Sequence, residues 1–205
     1  MEKDSHTPKE GRYVIHSLYF DDFKNNALYD TEEGLSSRFK WRIRYYNSDL
    51  NYISLEKKEK KEGKCHKKSC KLSLEEYKKI IDGNIINLLY KTDKEVLKEL
   101  IKDMMIYDYK PKIIVDYERI AYVEEITNVR ITFDMKISTS YEIDRFLDGD
   151  YNKVYLQENG YNVLEVKFDD ILPSYIKKII ESYGFRKTSF SKYLYSRKML
   201  NSYLR

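Results

Sequence analysis

Phe39, Trp41, Ile43 and Tyr45 alternate with Arg38, Lys40, Arg42 and Arg44 along the chain. Successive side chains of a strand point to opposite faces, so this pattern predicts a strand over 38–46 with one apolar and one cationic face. Residues 51–60 repeat the logic, with Ile53 and Leu55 set against Tyr52, Ser54, Glu56, Lys58 and Lys60, and the two runs read as a hairpin across a polar turn. A strand over 12–20 precedes them, separated by "YDTEEGLSS", which reads as a polar turn region, and a further strand is expected near "KKSCKLS". Beyond Pro111, "KIIVDYERIAYV", "VRITFDMKIS", "KVYLQ" and "YNVLEVKFD" predict four more. Residues 1–11, which contain Pro8 and Gly11, read as irregular.

Between the two groups of strands the period changes to that of helices. "SLEEYKKIIDG" has Ser73 as N-cap, Glu76 as its capping-box partner and Gly83 past its end. "TDKEVLKELIKDMM" has Thr92 or Asp93 as cap and an apolar stripe of Val96, Leu97, Leu100, Ile101 and Met104. Pro173 opens another helix that stops at Gly184, and the last residues read as a loop and a terminal helix. These amphipathic segments are expected to cover the apolar face of the sheet.

The same division of faces recurs later. Val129, Ile131 and Phe133 oppose Arg130, Thr132 and Asp134, while Leu164, Val166 and Phe168 oppose Val163, Glu165 and Lys167. In "VDYERIAY", Arg119 shares a face with Tyr117 and Ala121. An antiparallel sheet with one solvated face would also alternate in this way. Two features favour a different arrangement. Arginine, whose fixed fork of donors suits phosphate oxygens, stands where solvated faces more often mix Lys and Glu. Arg42, Arg44 and Lys58 on adjoining strands would also repel one another unless an anion sits among them. An antiparallel β-barrel with its cationic face inward and helices packed on the outside satisfies both, and predicts an α+β fold with a tunnel for a polyanion.

Composition narrows the reading. The 205 residues suit a single domain, and 41% hydrophobic with 35% charged residues is the balance of a folded chain. Tyrosine supplies 21 residues, which suits many half-buried rings with a polar tip. A net charge of +4 is small, so anion preference must come from the arrangement of cations, and nucleic acid is not expected because the cations face a confined interior. Cys65 and Cys70, with His66 beside the first, match no zinc spacing and read as reduced thiols near solvent. His6, His16 and His66 form no evident dyad, and no P-loop or kinase signature occurs. There is neither a signal peptide nor an apolar run of membrane-spanning length, so a cytoplasmic protein is expected.

"SLYFDD", "RIRYY", "LEKK", "DYERIAY", "VRITFD", "VLEVKF" and "FSKY", in this order from about Tyr13 to Tyr193, resemble the vacuolar transporter chaperone (VTC) domain, the polyphosphate polymerase branch of the CYTH-like triphosphate tunnel metalloenzymes. The resemblance implies an antiparallel tunnel that binds ATP and polyphosphate through basic residues together with a divalent metal, Mn²⁺ or Mg²⁺. Residue by residue it implies Arg42, Arg44, Lys58, Lys68, Arg119, Arg130 and Lys192 as phosphate ligands and Glu165 as the metal ligand. Lys40, Lys167 and Ser191 are additions to that set. Family members open with a strand of alternating charges and then a helix, and this chain begins after that point, which implies a barrel lacking its first wall strand. The activity implied is transfer of the γ-phosphate of ATP to a growing polyphosphate chain. Two alternatives stand beside it: a non-catalytic module that binds polyphosphate or inositol phosphates, and a triphosphatase.

Overall fold

The computed structural model describes residues 1–4, 7, 11–156, 161–185 and 187–203. In chain order its elements are β1 (Glu2–Lys3), β2 (Tyr13–Asp21), α1 (Asn26–Glu32), β3 (Arg38–Tyr46), β4 (Asp49–Lys61), β5 (Lys64–Leu72), α2 (Leu74–Ile81), α3 (Ile86–Lys91), α4 (Glu95–Tyr107), β6 (Lys110–Glu124), β7 (Val129–Ser140), β8 (Val154–Tyr155), β9 (Val163–Lys167), α5 (Ser174–Ser182) and α6 (Lys192–Tyr203). All ladders are antiparallel, in the order β5-β4-β3-β2-β6-β7-β8, with β1 on β6 and β9 on β7. The fold is α+β with one large sheet.

Closure into a barrel is not seen. Among the described residues no ladder joins the β5 edge to β8 or β9. The sheet nevertheless curls, because Lys60 of β4, Cys65 of β5 and Glu165 and Lys167 of β9 line one cavity. A strongly twisted sheet can wrap in this way without its edges meeting.

The convex face carries the main core. Leu18, Phe20, Trp41, Ile43, Ile53 and Leu55 pack there against Tyr77 and Ile80 of α2, Leu88 of α3 and Leu97, Leu100 and Ile101 of α4. The capping box at Ser73 forms, with the Ser73 hydroxyl accepting from Glu76 N–H and the Glu76 carboxylate accepting from Ser73 N–H. The next helix starts differently from expectation. Lys94, not Thr92 or Asp93, is at the cap of α4, and its ammonium bonds Glu76 of α2 at 2.7 Å. A tie between helices outweighs the local cap preference.

The expectation that the helices lie outside holds for α2, α3 and α4 but not for α1 and α6. These two cross the concave face, where Ala27, Leu28, Tyr193 and Leu200 pack on Tyr13, Ile15, Tyr19, Ile113, Val115 and Tyr117. The concave face is therefore apolar at one end and cationic at the other. Helix α1 replaces part of the expected turn region. Its N–H groups at Ala27 and Leu28 are held by the carboxylate of Asp21, at the end of β2, at 2.9 and 3.1 Å. Of the other expectations, His6, Pro8, Gln157 and the last two residues of the terminal helix lie outside the described residues, and the start of the chain includes β1 rather than being irregular throughout. No helix among the described residues is long and apolar enough to cross a membrane.

Candidate functional site

Register decides which side chains meet. Opposite Arg42 of β3 stands Glu56 of β4, opposite Lys40 stands Lys58, and opposite Lys58 stands Lys67 of β5. On the other side of the curl Arg119 of β6 is opposite Asp134 of β7, and Thr132 is opposite Glu165 of β9. The curl brings these faces together around a cavity of about 660 Å³, whose lining includes Lys40, Arg42, Arg44, Lys58, Arg119, Glu165, Lys167, Ser191 and Lys192.

Much of the expected repulsion is met by the protein's own acids. Glu56, 2% exposed, accepts from Arg42 Nε at 2.7 Å and is ion-paired with Lys67 at 2.8 Å, while Arg44 lies 3.9 Å away. Burial alone would raise the Glu56 carboxyl, but Arg42, Arg44 and Lys67 outweigh it and hold it down at about 2. Arg44 donates to Ser17 Oγ and to the Tyr117 hydroxyl, each at 3.1 Å. Across the cavity Asp134 is fully buried and accepts a two-pronged bond from Arg119, at 2.6 and 2.8 Å. Lys192 reaches the same carboxylate at 2.6 Å. Burial opposes the charge on Asp134, and these two cations lower its pKa despite it.

Lys40 is placed differently. Its ammonium donates to Ser191 Oγ at 3.1 Å and, among the described residues, is ion-paired with no carboxylate. Burial pulls its pKa down to about 8, partly offset by Tyr19 and reinforced by Arg38, Lys58 and Arg42. Tyr19, beside it, accepts from Arg42 at 3.2 Å. Burial raises the Tyr19 phenol, and Arg42, Arg44 and Lys40 overcome that to bring it to about 8.

Two expected ligands do not line the cavity. Lys68 pairs with Lys57 of β4, which lies opposite Trp41, so its side chain points to the convex face and bonds Glu99 of α4 at 2.7 Å. Its neighbour Lys67 has the cavity-side parity and reaches Glu56. Arg130 is ion-paired with Asp4 at 2.6 Å, beyond the cavity lining. The sequence offers Glu56 and Asp134 as second metal contacts or as spacers that hold the cations apart, and their ion pairs with Arg42, Lys67, Arg119 and Lys192 correspond to the second role, whereas nothing in the sequence reading points to Lys67 or Tyr19.

The two cysteines have opposite parity on β5. Cys65 lines the cavity, and Cys70, half-buried rather than near solvent, packs on the convex core. A histidine pairing also exists that the sequence reading did not anticipate: His16 Nδ1 is 3.0 Å from Asp116 Oδ1, buried on the convex side under Tyr151 and stacked on Tyr45. It does not line the cavity.

Among the described residues no three His, Cys, Asp or Glu side chains group as a metal cage. The donor set fits a metal of another kind. Mg²⁺ and similar hard cations are commonly held by one or two carboxylates plus substrate phosphates. Glu165 and Glu32 both line the cavity; Glu32 is ion-paired with Lys198 of α6, and Glu165, with its side chain 35% exposed and partnered by Lys167 at 3.1 Å and Arg119 at 3.7 Å, is the carboxylate that stands among the cavity's β-strand cations. Burial raises its pKa, and Lys167, Lys192 and Arg119 lower it further than burial raises it, so it is anionic and ready for a cation.

Residues 1–201 match the VTC domain family model. Among solved structures, the crystal structure of a candidate adenylate cyclase from Bacillus halodurans is similar with a TM-score of 0.53 and 14% identity, over 91% of this chain and 82% of the other. A candidate adenylyl cyclase from Hippeastrum, described as having a dominant triphosphatase activity, gives a TM-score of 0.47 and 15% identity over 84% and 72% of the two chains. No curated protein matches. The likeness to the Bacillus halodurans structure, at low identity, is one of fold, and the family match over nearly the whole length makes the assignment: the chain belongs to the VTC domain family.

Proposed function

We propose that this domain lengthens polyphosphate by transferring the γ-phosphate of ATP to a chain end within the cationic cavity. The observation that carries the proposal is convergence: Lys40, Arg42, Arg44, Lys58, Arg119, Lys167 and Lys192, from four strands and one helix, line a single space that they share with Glu165. Membership of a family that handles polyphosphate and triphosphates supports it.

Phosphoryl transfer asks for alignment and charge stabilisation more than for covalent chemistry by the protein. An oxygen at the end of a polyphosphate chain is already anionic, so it attacks the γ-phosphorus without a general base. The bond from the γ-phosphorus to the β,γ-bridging oxygen breaks, and ADP leaves. Arg42, Arg44 and Arg119, held by Glu56, Ser17, Tyr117 and Asp134, present fixed donors to the equatorial oxygens. Lys40 and Lys58, ion-paired with no carboxylate among the described residues, neutralise the phosphates that extend along the β3–β4 wall. Glu165 would hold a divalent metal, which when bound supplies charge neutralisation between phosphates. Lys192, at the start of α6, spans from Asp134 to the face of Tyr117 and fixes that end of the site.

Purified protein given ATP and manganese is expected to make a polymer that an exopolyphosphatase digests. If it binds tripolyphosphate yet forms neither polymer nor ADP, the transfer reading fails and a binding module remains.

A further inference from the structure

Helix α6 has two faces with different employment. Tyr193, Ser196, Arg197 and Leu200 are buried against the concave side of the sheet and α1. Tyr195, Lys198, Met199 and Ser202, spaced as i, i+3, i+4 and i+7, share another face. With Phe190 and Leu156 they line a recess of about 280 Å³. Phe190, Tyr195 and Lys198 also line the cationic cavity, so the recess and the cavity share a wall.

We propose that this recess receives the nucleobase of a nucleoside triphosphate whose phosphates lie in the cationic cavity. The proposal rests on the reading of that cavity as a triphosphate site.

The chemistry of the walls fits a flat, largely apolar ring. Phe190 and Tyr195 lie nearly parallel, with centroids 4.7 Å apart and planes at 14°. Their contact has a local explanation: Ser191 caps α6, accepting from Leu194 N–H at 3.3 Å, and a residue before the cap commonly packs on the fourth helical residue. That staple accounts for two rings touching. It does not account for the open space beside them, nor for a tyrosine left 44% exposed next to Met199 and Leu156. At about 280 Å³ the recess is smaller than the ~300–1,000 Å³ usual for a whole small-molecule pocket, and suits a base attached to phosphates bound elsewhere. Polar recognition is sparse. Lys198 is ion-paired with Glu32, and the Ser202 hydroxyl donates to the Met199 carbonyl. Stacking without edge readout tolerates any base, so adenine and guanine nucleotides should bind within a few-fold of each other.

Titration calorimetry of the full chain with ATP and with inorganic tripolyphosphate, at matched Mg²⁺, tests the proposal. ATP is expected to bind about 10-fold tighter, a difference of ~1.4 kcal/mol. Met199→Ala, at a position that lines the recess and not the cavity, should reduce that preference while leaving tripolyphosphate affinity unchanged. Ser202→Trp, at an exposed position where folding is not at stake, should fill the recess and also abolish the preference. Equal binding of the two ligands by the unmodified protein, or an equal loss for both in Ser202→Trp, overturns the base site alone. If neither ligand binds, the reading of the cavity falls with it.

Discussion

The two ends of the cavity are built by different electrostatic rules. On one, Arg42 and Arg44 gather about Glu56, Arg119 and Lys192 about Asp134, and Lys167 beside Glu165. On the other, Arg38, Lys40, Lys58 and Lys60 line the wall with no ion pair to a carboxylate among the described residues. The braced cations are oriented before any ligand arrives, and their net field is small. The unbraced ones keep their charge for an incoming anion, at the cost of mutual repulsion. The comparison separates two jobs that a list of basic residues would merge: bracing serves the fold and fixes the direction of the donors, and the open wall keeps its charge for attraction of an anion.

The sharpest way to break this distinction is Glu56→Gln. It keeps the shape and removes the charge, leaving the half-buried Arg42 and the buried Arg44 without their counter-ion. Breaking a buried pair in this way costs ~3–5 kcal/mol, which urea denaturation would measure. Saturating tripolyphosphate should restore part of the loss by standing where the carboxylate stood. A loss under ~1 kcal/mol would mean that the arginines do not depend on Glu56. Acid tests the same contact with the opposite approach. The Glu56 pKa is depressed to about 2, so its stabilisation is fully present above the unfolded value of ~4.3 and is lost as pH falls through the folded one.

On the open wall the effects should exchange places. Lys58→Ala and Lys40→Ala each remove a charge-assisted contact with the ligand, expected to weaken tripolyphosphate binding by ~1.5–3 kcal/mol. Stability should move by no more than ~0.5 kcal/mol, because no buried partner is orphaned. If Lys58→Ala unfolds the protein as readily as Glu56→Gln, the two ends are not different in kind.

Strand parity made much of this legible. Alternation over residues 38–46 and 51–60 was enough to put Arg42, Arg44 and Lys58 on one face, and the Ser73 capping box could be read from local sequence. What escaped depended on contacts between distant positions. Whether β5 meets β9 is a question of twist summed over the whole sheet, to which no single strand testifies. Helix α1 is only seven residues long and is held by Asp21, which lies in the preceding strand, so its own sequence gives little sign of it. His16 and Asp116 are a hundred residues apart and meet only because β2 pairs with β6. The inward placement of α6 follows from the bond of Tyr193 to Asp21 at 2.5 Å, again unreadable before the fold is known.

Alkali gives a milder test of the open wall. Burial brings Lys40 down to about 8, so its charge is available below that pH and fades above it. A bound anion stabilises the protonated amine, and tripolyphosphate affinity should therefore decline as pH rises through about 8. Lys40→Arg, whose guanidinium stays charged throughout, should reduce that decline, and Lys40→Arg with Tyr19→Phe should flatten it, since the Tyr19 phenol beside Lys40 also ionises at about 8. A profile that is level from pH 7 to 9.5 in the unmodified protein would place Lys40 outside the binding set.

The smallest effects should come from a pair of neighbours that the sequence alone could not tell apart. "HKKSCK" is polar at almost every position of β5, so no apolar residue marks which lysine faces inward, and the resemblance of motifs selects Lys68 as the ligand. Pairing with β4 supplies the missing parity: Lys67 stands opposite Lys58 and reaches Glu56 at 2.8 Å, while Lys68 stands opposite Lys57 and reaches Glu99 on the helical side. Lys67→Ala should lower tripolyphosphate affinity a few-fold, because the ammonium is half exposed and its attraction is screened by solvent and salt. Lys68→Ala should leave that affinity unchanged at any salt concentration. Were Lys68→Ala the more damaging of the two, the register between β4 and β5 would have to slip by one residue, which would also turn Cys70 and Leu72 out of the convex core.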